Sequence, residues 1–183
     1  MRKSILLLFF IGASSIAFGQ KYFTKEGLVR FESDAPLEKI EAVNDKATCV
    51  WDTESGAIQV AVLIKSFQFE KALMQEHFNE NYMESSEFPK ATFKGKITNM
   101  DDIDLTKDGN VEANITGELT IHGVTNSVST TGSIVVEAGA LKGLTNFEVA
   151  VADYGIEIPK LVRENIAKEV SIQCEFDFKP LEK

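Results

Sequence analysis

The sequence predicts an all-β fold, an antiparallel barrel or sandwich of about eight strands with one capping α-helix. Two observations predict the strands. Past residue 20 the apolar residues recur mostly at every second position, which is strand spacing. Turn-forming clusters then break these runs at short intervals, with no regular helices between them. A third observation predicts the helix: from Glu70 to Met83 the spacing changes to helical.

Length and composition set the frame. The chain has 183 residues, 44% of them hydrophobic, which suits one globular domain rather than a disordered or fibrous chain. It carries 19 Lys+Arg against 28 Asp+Glu, a net charge of -9. Such a surface repels phosphate backbones, so no nucleic-acid partner is expected. Two cysteines cannot build a disulfide-dense scaffold or a four-thiolate zinc site.

The elements follow in chain order. Arg2-Lys3 precede a compact apolar run, Ile5 to Ile11, then Gly12-Ala13-Ser14-Ser15 and Ala17-Phe18-Gly19. A charged start, a short apolar core and small residues two apart predict a signal peptide over 1–19. A spanning anchor needs about 20 apolar residues, and Ser14-Ser15 interrupts this run. The remainder, 20–183, reads as a single domain with no later segment long and apolar enough to span a bilayer. The expected location is therefore periplasmic or secreted.

Strands are expected from Leu28 to Ser33 and from Ala47 to Asp52, then a turn at Thr53-Glu54-Ser55-Gly56. Next, Ile58, Val60, Val62 and Ile64 alternate with Gln59, Ala61 and Lys65. In the helix that follows, Met74, Phe78 and Tyr82 stand four apart, and Phe69, Leu73 and His77 form a parallel row. At 1.5 Å per residue it is about 21 Å long, enough to cap a barrel mouth. It reads as a plug packed by its apolar stripe, with a movable lid as the alternative. Its outer face carries Glu70, Glu76, Glu80 and Glu84 against Lys71 alone, the wrong sign for an anionic membrane.

Further strands run from Ala91 to Asn99, from Val111 to Ile121, from Ser127 to Val136, from Leu141 to Val151 and from Val170 to Phe178. Lys107-Asp108-Gly109-Asn110, His122-Gly123 and Ala138-Gly139 supply turns between them.

Residues able to carry chemistry are few. His77 and His122 lack neighbours at metal-ligand spacing, and His122 is expected to bond backbone at its turn. The run from Asp104 to Gly109 imitates the start of a calcium loop. Ile115 stands where that loop requires Glu, so a hairpin turn is the better reading. Cys49 and Cys174 share strand parity with Trp51 and Phe176 and should point inward. Separate buried thiols and a disulfide both remain open. No cofactor or metal is expected, and no catalytic residue stands out.

Three segments resemble the YceI-like family of small exported lipid-binding proteins. Glu118-Leu119-Thr120-Ile121-His122-Gly123-Val124-Thr125 is close to the family's G-[DE]-L-T-[IL]-[HR]-G-V-T run. Phe88-Pro89-Lys90-Ala91-Thr92-Phe93-Lys94-Gly95 resembles its strand entry, and Asp153-Tyr154-Gly155-Ile156 its late D-[FY]-G-[IV]. The chain departs from the family pattern around the helix, in the first strand at Val29-Arg30-Phe31-Glu32-Ser33, and in an insertion from Ile158 to Ile166. There Pro159 can start a short helix.

The resemblance implies an extended, lipocalin-like antiparallel β-barrel around an elongated apolar cavity. It also implies a long-chain isoprenoid or related amphiphilic lipid as ligand, without catalysis. On the inward strand faces, the expected cavity lining is Val60, Val62, Ile64, Ile115, Leu119, Phe147, Val149 and Phe176. A packed core and a lined cavity look alike in sequence, so a filled structural or interaction barrel is the alternative, and a barrel enzyme acting on a lipid a weaker one. A homodimer is an assembly left open.

Overall fold

The computed structural model describes residues 21–181, so the expected signal peptide, 1–19, lies outside the described residues. The strands are β1 (Lys21–Asp34), β2 (Lys39–Asp52), β3 (Ala57–Leu63), the two-residue β4 (Gln68–Phe69), β5 (Lys90–Ile97), β6 (Gly109–Ile121), β7 (Val124–Glu137), β8 (Ala140–Ala150) and β9 (Glu169–Pro180). They are neighbours in the order β1-β9-β8-β7-β6-β5-β3-β2, and β2 pairs back onto β1. Every pairing is antiparallel. The β1–β2 ladder, from Lys21↔Asp52 to Asp34↔Lys39, decides between barrel and sandwich: it closes an eight-stranded barrel. β4 attaches beside it, on Ala42 and Val43 of β2.

Two turns dictate their hairpins locally. His122-Gly123 and Ala138-Gly139 each join strands across two residues, and all four have positive φ, between 48° and 82°. This is the turn whose twist matches that of antiparallel strands.

β1 and β2 run much further than their alternation suggests. The β1–β2 register shifts between Thr24 and Gly27 and again between Gly27 and Val29. Each shift moves the inward set to the other parity, which scrambles a period-two pattern. Buried residues of β2 show the same break, passing from Ala42 and Asn44 to Ala47, Cys49 and Trp51. Gly27 is needed at the bulge, because a Cβ there would lie 2.5 Å from the Phe176 ring.

Strand directions sort the connections to two ends. One end carries the 53–56 turn, the 98–108 loop and the Ala138-Gly139 turn. Trp51, Phe176 and Phe178 pack there with Ile103, the rings of Trp51 and Phe178 lying 5.4 Å apart. The other end carries the β1–β2 turn, the His122-Gly123 turn and two long segments, 64–89 and 151–168.

The expected helix lies in the first long segment but is shorter and less regular. It comprises α1 (Ala72–His77) continued by a π-helical turn, Phe78–Tyr82. Phe69 belongs to β4 instead, so the expected row of Phe69, Leu73 and His77 does not form. Leu73 is 61% exposed. The other row is the packed one: Phe78 meets Phe31, Phe67 and Phe69 at ring distances of 5.3, 5.6 and 5.0 Å. In the second segment, Pro159 precedes one short turn, Lys160–Val162.

Candidate functional site

Strand parity and the bulges leave the barrel hollow. A cavity of about 410 Å³ runs inside it, within the range of small-molecule sites. Val60 and Val62 reach it from β3, and Ile64 from just beyond that strand. Ile115 and Leu119 come from β6, Phe147 and Val149 from β8, and Phe176 from β9. The structure therefore brings together all eight residues of the expected lining.

Their burial is uneven, and the unevenness is informative. Ile64, Val62, Leu119, Val149 and Phe176 are buried, whereas Val60, Ile115 and Phe147 are half-buried although they project inward. An inward apolar side chain that is not covered borders space rather than a packing partner.

Several lining residues were missed by sequence reasoning. Phe93 on β5 alternates with Thr92 and Lys94, so its parity was readable. What makes room for its ring is a glycine pair: Gly95 of β5 faces Gly117 of β6. A Cβ on either would come within 2.7 Å of Phe93 Cζ. Phe31 was hidden by the β1 bulges, and Met74, Tyr82, Ile158, Val162 and Ile166 by the irregular segments that carry them. For Ile158, Val162 and Ile166 no periodicity exists to read, whereas Met74 and Tyr82 are legible as a helical row but not as cavity lining.

Polar side chains gather at the rim, where they satisfy one another. Glu38 Oε1 lies 3.1 Å from Lys71 Nζ, and Glu38 Oε2 accepts from Asn165 Nδ2 at 3.5 Å. Ser33 Oγ accepts from the Ala167 backbone N–H at 2.8 Å, and Leu37 N–H donates to the Glu164 carbonyl at 3.1 Å. The 151–168 segment is thus tied across the end of β1 and β2.

His122 makes a second tie. Its Nδ1 lies 3.3 Å from the Tyr154 carbonyl and its Nε2 2.9 Å from Glu84 Oε2, with Phe88 edge-on at 4.6 Å. The turn histidine does meet a backbone group, but one from a distant segment, and it joins both long segments to the β6–β7 turn. The Asp104 carboxylate is occupied locally, accepting from Thr106 and pairing with Lys107 at 2.7 Å. These contacts hold it well below the usual carboxylate range.

Inside the barrel the chemistry is quiet. Cys49 and Cys174 are both free thiols. Burial pushes the Cys174 thiol up to about 12 and the Cys49 thiol further still, so neither is a thiolate at neutral pH. Burial also raises the Tyr82 and Tyr154 phenols. Among the described residues no group of three or more His, Cys, Asp or Glu is placed to hold a metal ion. Such a site can enclose a hydrocarbon chain and gain from its desolvation.

Comparison with known proteins agrees with this architecture. Among solved structures, a polyisoprenoid binding domain from Saccharophagus degradans, implicated in plant cell wall breakdown, superposes with a TM-score of 0.76 at 13% identity, covering 88% of this chain and 98% of that one. Burkholderia cenocepacia BcnA gives a TM-score of 0.67 at 17% identity, covering 81% and 94%. A YCEI protein of Campylobacter jejuni gives 0.54 at 15% identity, with both chains covered fully. At these identities the likeness is one of fold. No curated protein matches the chain. The family model of the YceI-like domain matches residues 19–178, nearly all of the barrel, and the chain belongs to that family.

Proposed function

We propose that this protein is an exported, non-catalytic carrier that shelters one long-chain isoprenoid or related amphiphilic lipid inside its barrel. The observation that carries the reading is the hollow interior. A cavity of about 410 Å³ is bordered by inward apolar side chains, of which Val60, Ile115 and Phe147 are only half-buried. Its fold is shared with a polyisoprenoid binding domain, and no described helix is long and apolar enough to cross a membrane.

Magnitudes limit what the barrel gains. At about 0.3 kcal/mol per heavy atom, a five-carbon isoprene unit contributes roughly 1.5 kcal/mol. Micromolar affinity requires about 8 kcal/mol, hence five to six such units or their equivalent. A bilayer shelters the same chain equally well, so transfer from membrane to barrel is close to balanced. That balance suits carriage through water with release, rather than irreversible capture. Native mass spectrometry of protein isolated from its own organism tests the reading. A retained lipid of defined mass is the expected result, and protein that is consistently empty and takes up no added isoprenoid rejects it.

A further inference from the structure

The barrel wall is not evenly sewn. β7 and β8 are paired only from Glu137↔Ala140 to Gly132↔Thr145. Beyond that rung each strand continues, paired on its other side alone, β7 with β6 as far as Ile121↔Val124 and β8 with β9 as far as Ala150↔Glu169. The result is a slit about 16 Å long, the length of five extended residues of β8.

Other irregularities in the wall are filled. Phe176 packs against the β1 bulge at Gly27, and Asn44 Nδ2 donates to the Leu63 carbonyl at 2.9 Å where β2 leaves β3. At the slit, the half-buried Val128 and Thr130 of one lip and Phe147 of the other line the cavity, Val128 and Phe147 resting on the cluster of Leu119, Val149, Tyr154 and Val170.

The backbone on these lips is accounted for by the hairpins. In a two-residue hairpin the closing pair exchange hydrogen bonds, and successive residues point to alternate sides. Counting from Val124, residues Thr125, Ser127, Ser129 and Thr131 aim N–H and C=O toward β8. Counting from Ala140, residues Asn146, Glu148 and Ala150 aim theirs toward β7. The Thr131 carbonyl accepts from Thr145 Oγ1 at 3.0 Å. Asn146 N–H closes the ladder on that same carbonyl, because the Gly132↔Thr145 rung is a non-hydrogen-bonded pair held by its flanking bonds. Thr125, Ser127, Ser129, Glu148 and the half-buried Ala150 have no strand opposite them, and the first four are exposed. Water satisfies such groups, and a ligand's polar group can replace it.

Charge selects the kind of polar group. Residues 124–131 and 146–150 contain no Lys or Arg, and Glu148 is the one acidic side chain among them. The turn above, Val151–Tyr154, adds Asp153, whose carbonyl accepts from Asn126 Nδ2 at 2.8 Å. An anion held here meets carboxylates and no cation from either lip. The axial mouth offers little competition, because Glu38, Lys71, Asn165 and Ser33 are already partnered there.

Given the lipid-carrier reading, we propose that the slit between β7 and β8 holds the polar end of the bound amphiphile, and that this end is a neutral hydrogen-bonding group, a hydroxyl or amide, rather than a phosphate. The chain then enters the barrel past Val128 and Phe147.

Titrating the full chain with the six-unit alcohol hexaprenol and with hexaprenyl monophosphate, followed by Trp51 fluorescence and native mass spectrometry, tests this. The alcohol is expected to bind at least about ten-fold more tightly. Glu148→Lys should narrow that preference several-fold, improving the phosphate more than the alcohol. Glu54→Lys, the same charge change on an exposed residue of the 53–56 turn at the opposite end of the barrel, should have a smaller effect. Equal or tighter binding of the phosphate by the unaltered protein overturns the proposal, as does an equal effect of the two substitutions. Failure of both probes to bind rejects the carrier reading itself, and the slit assignment with it.

Discussion

Ala138 stands at φ 48° in the Ala138-Gly139 turn, a left-handed conformation that its Cβ disfavours. Asn tolerates that region, and it leaves in place the hydrogen bond from the residue-138 N–H to Asp108 Oδ1, 3.0 Å long. Ala138→Asn should therefore stabilise the protein by about 0.5–1 kcal/mol in a denaturant titration. The buried thiols make a pH prediction. Both are raised by burial, Cys174 to about 12, so the folded chain keeps protons that the unfolded chain releases near its ordinary thiol value. A raised value gives stability that is complete below the unfolded thiol value and is lost as pH rises through the folded one. Stability should fall from about pH 8.5 upward, the raised Tyr82 and Tyr154 phenols acting in the same direction. Cys49→Ala should flatten part of that alkaline decline in unfolding midpoints measured against pH. An unchanged slope would mean that Cys49 ionises freely in the fold.

At the scale of elements, the capping segment depends on aromatic contacts rather than on helix propensity. α1 is six residues long and has no side-chain cap at its N-terminus, too short to be stable alone. Phe78, at the start of the π-helical turn, meets three other phenylalanines and anchors the segment to β1 and β4. Phe78→Asp should cost about 2–4 kcal/mol, somewhat below a fully buried Phe deletion, because Phe78 is itself half-buried. Hydrogen exchange should show the loss concentrated in residues 70–89, with the strand ladders still protected. Uniform loss of protection would place Phe78 in the global core instead. The sequence showed this element through Met74, Phe78 and Tyr82 but overestimated its length. The π-helical turn changes the spacing after His77, and the β4 pairing of Phe69 takes away the expected first turn.

For the whole molecule, the decisive property is that closure leaves a hollow rather than a packed interior. Val60 is inward, half-buried, and opposite Phe93 on β5. Val60→Trp should place the larger ring in the cavity at a cost of less than about 1 kcal/mol, whereas overpacking a filled core costs about 1–3 kcal/mol. Co-purified lipid, measured on the same preparation, should fall sharply. A large loss of stability in a protein that never carried lipid would favour a filled barrel.

Alternation and turn residues by themselves determined β3 and the strands from β5 onward, the two hairpin turns between them, and which side chains face inward, the eight of the expected lining among them. These rest on neighbours along the chain, for which a period of two is a sufficient rule. Only the tertiary structure decided barrel over sandwich, through the β1–β2 ladder, whose register is hidden behind bulges that reset side-chain parity. It alone decided that Phe93 lies against Gly95 and Gly117, that His122 joins two segments far apart in sequence, and that β7 parts from β8. Whether facing apolar side chains meet or leave space depends on distances across the barrel, and the order of residues along one strand does not contain them.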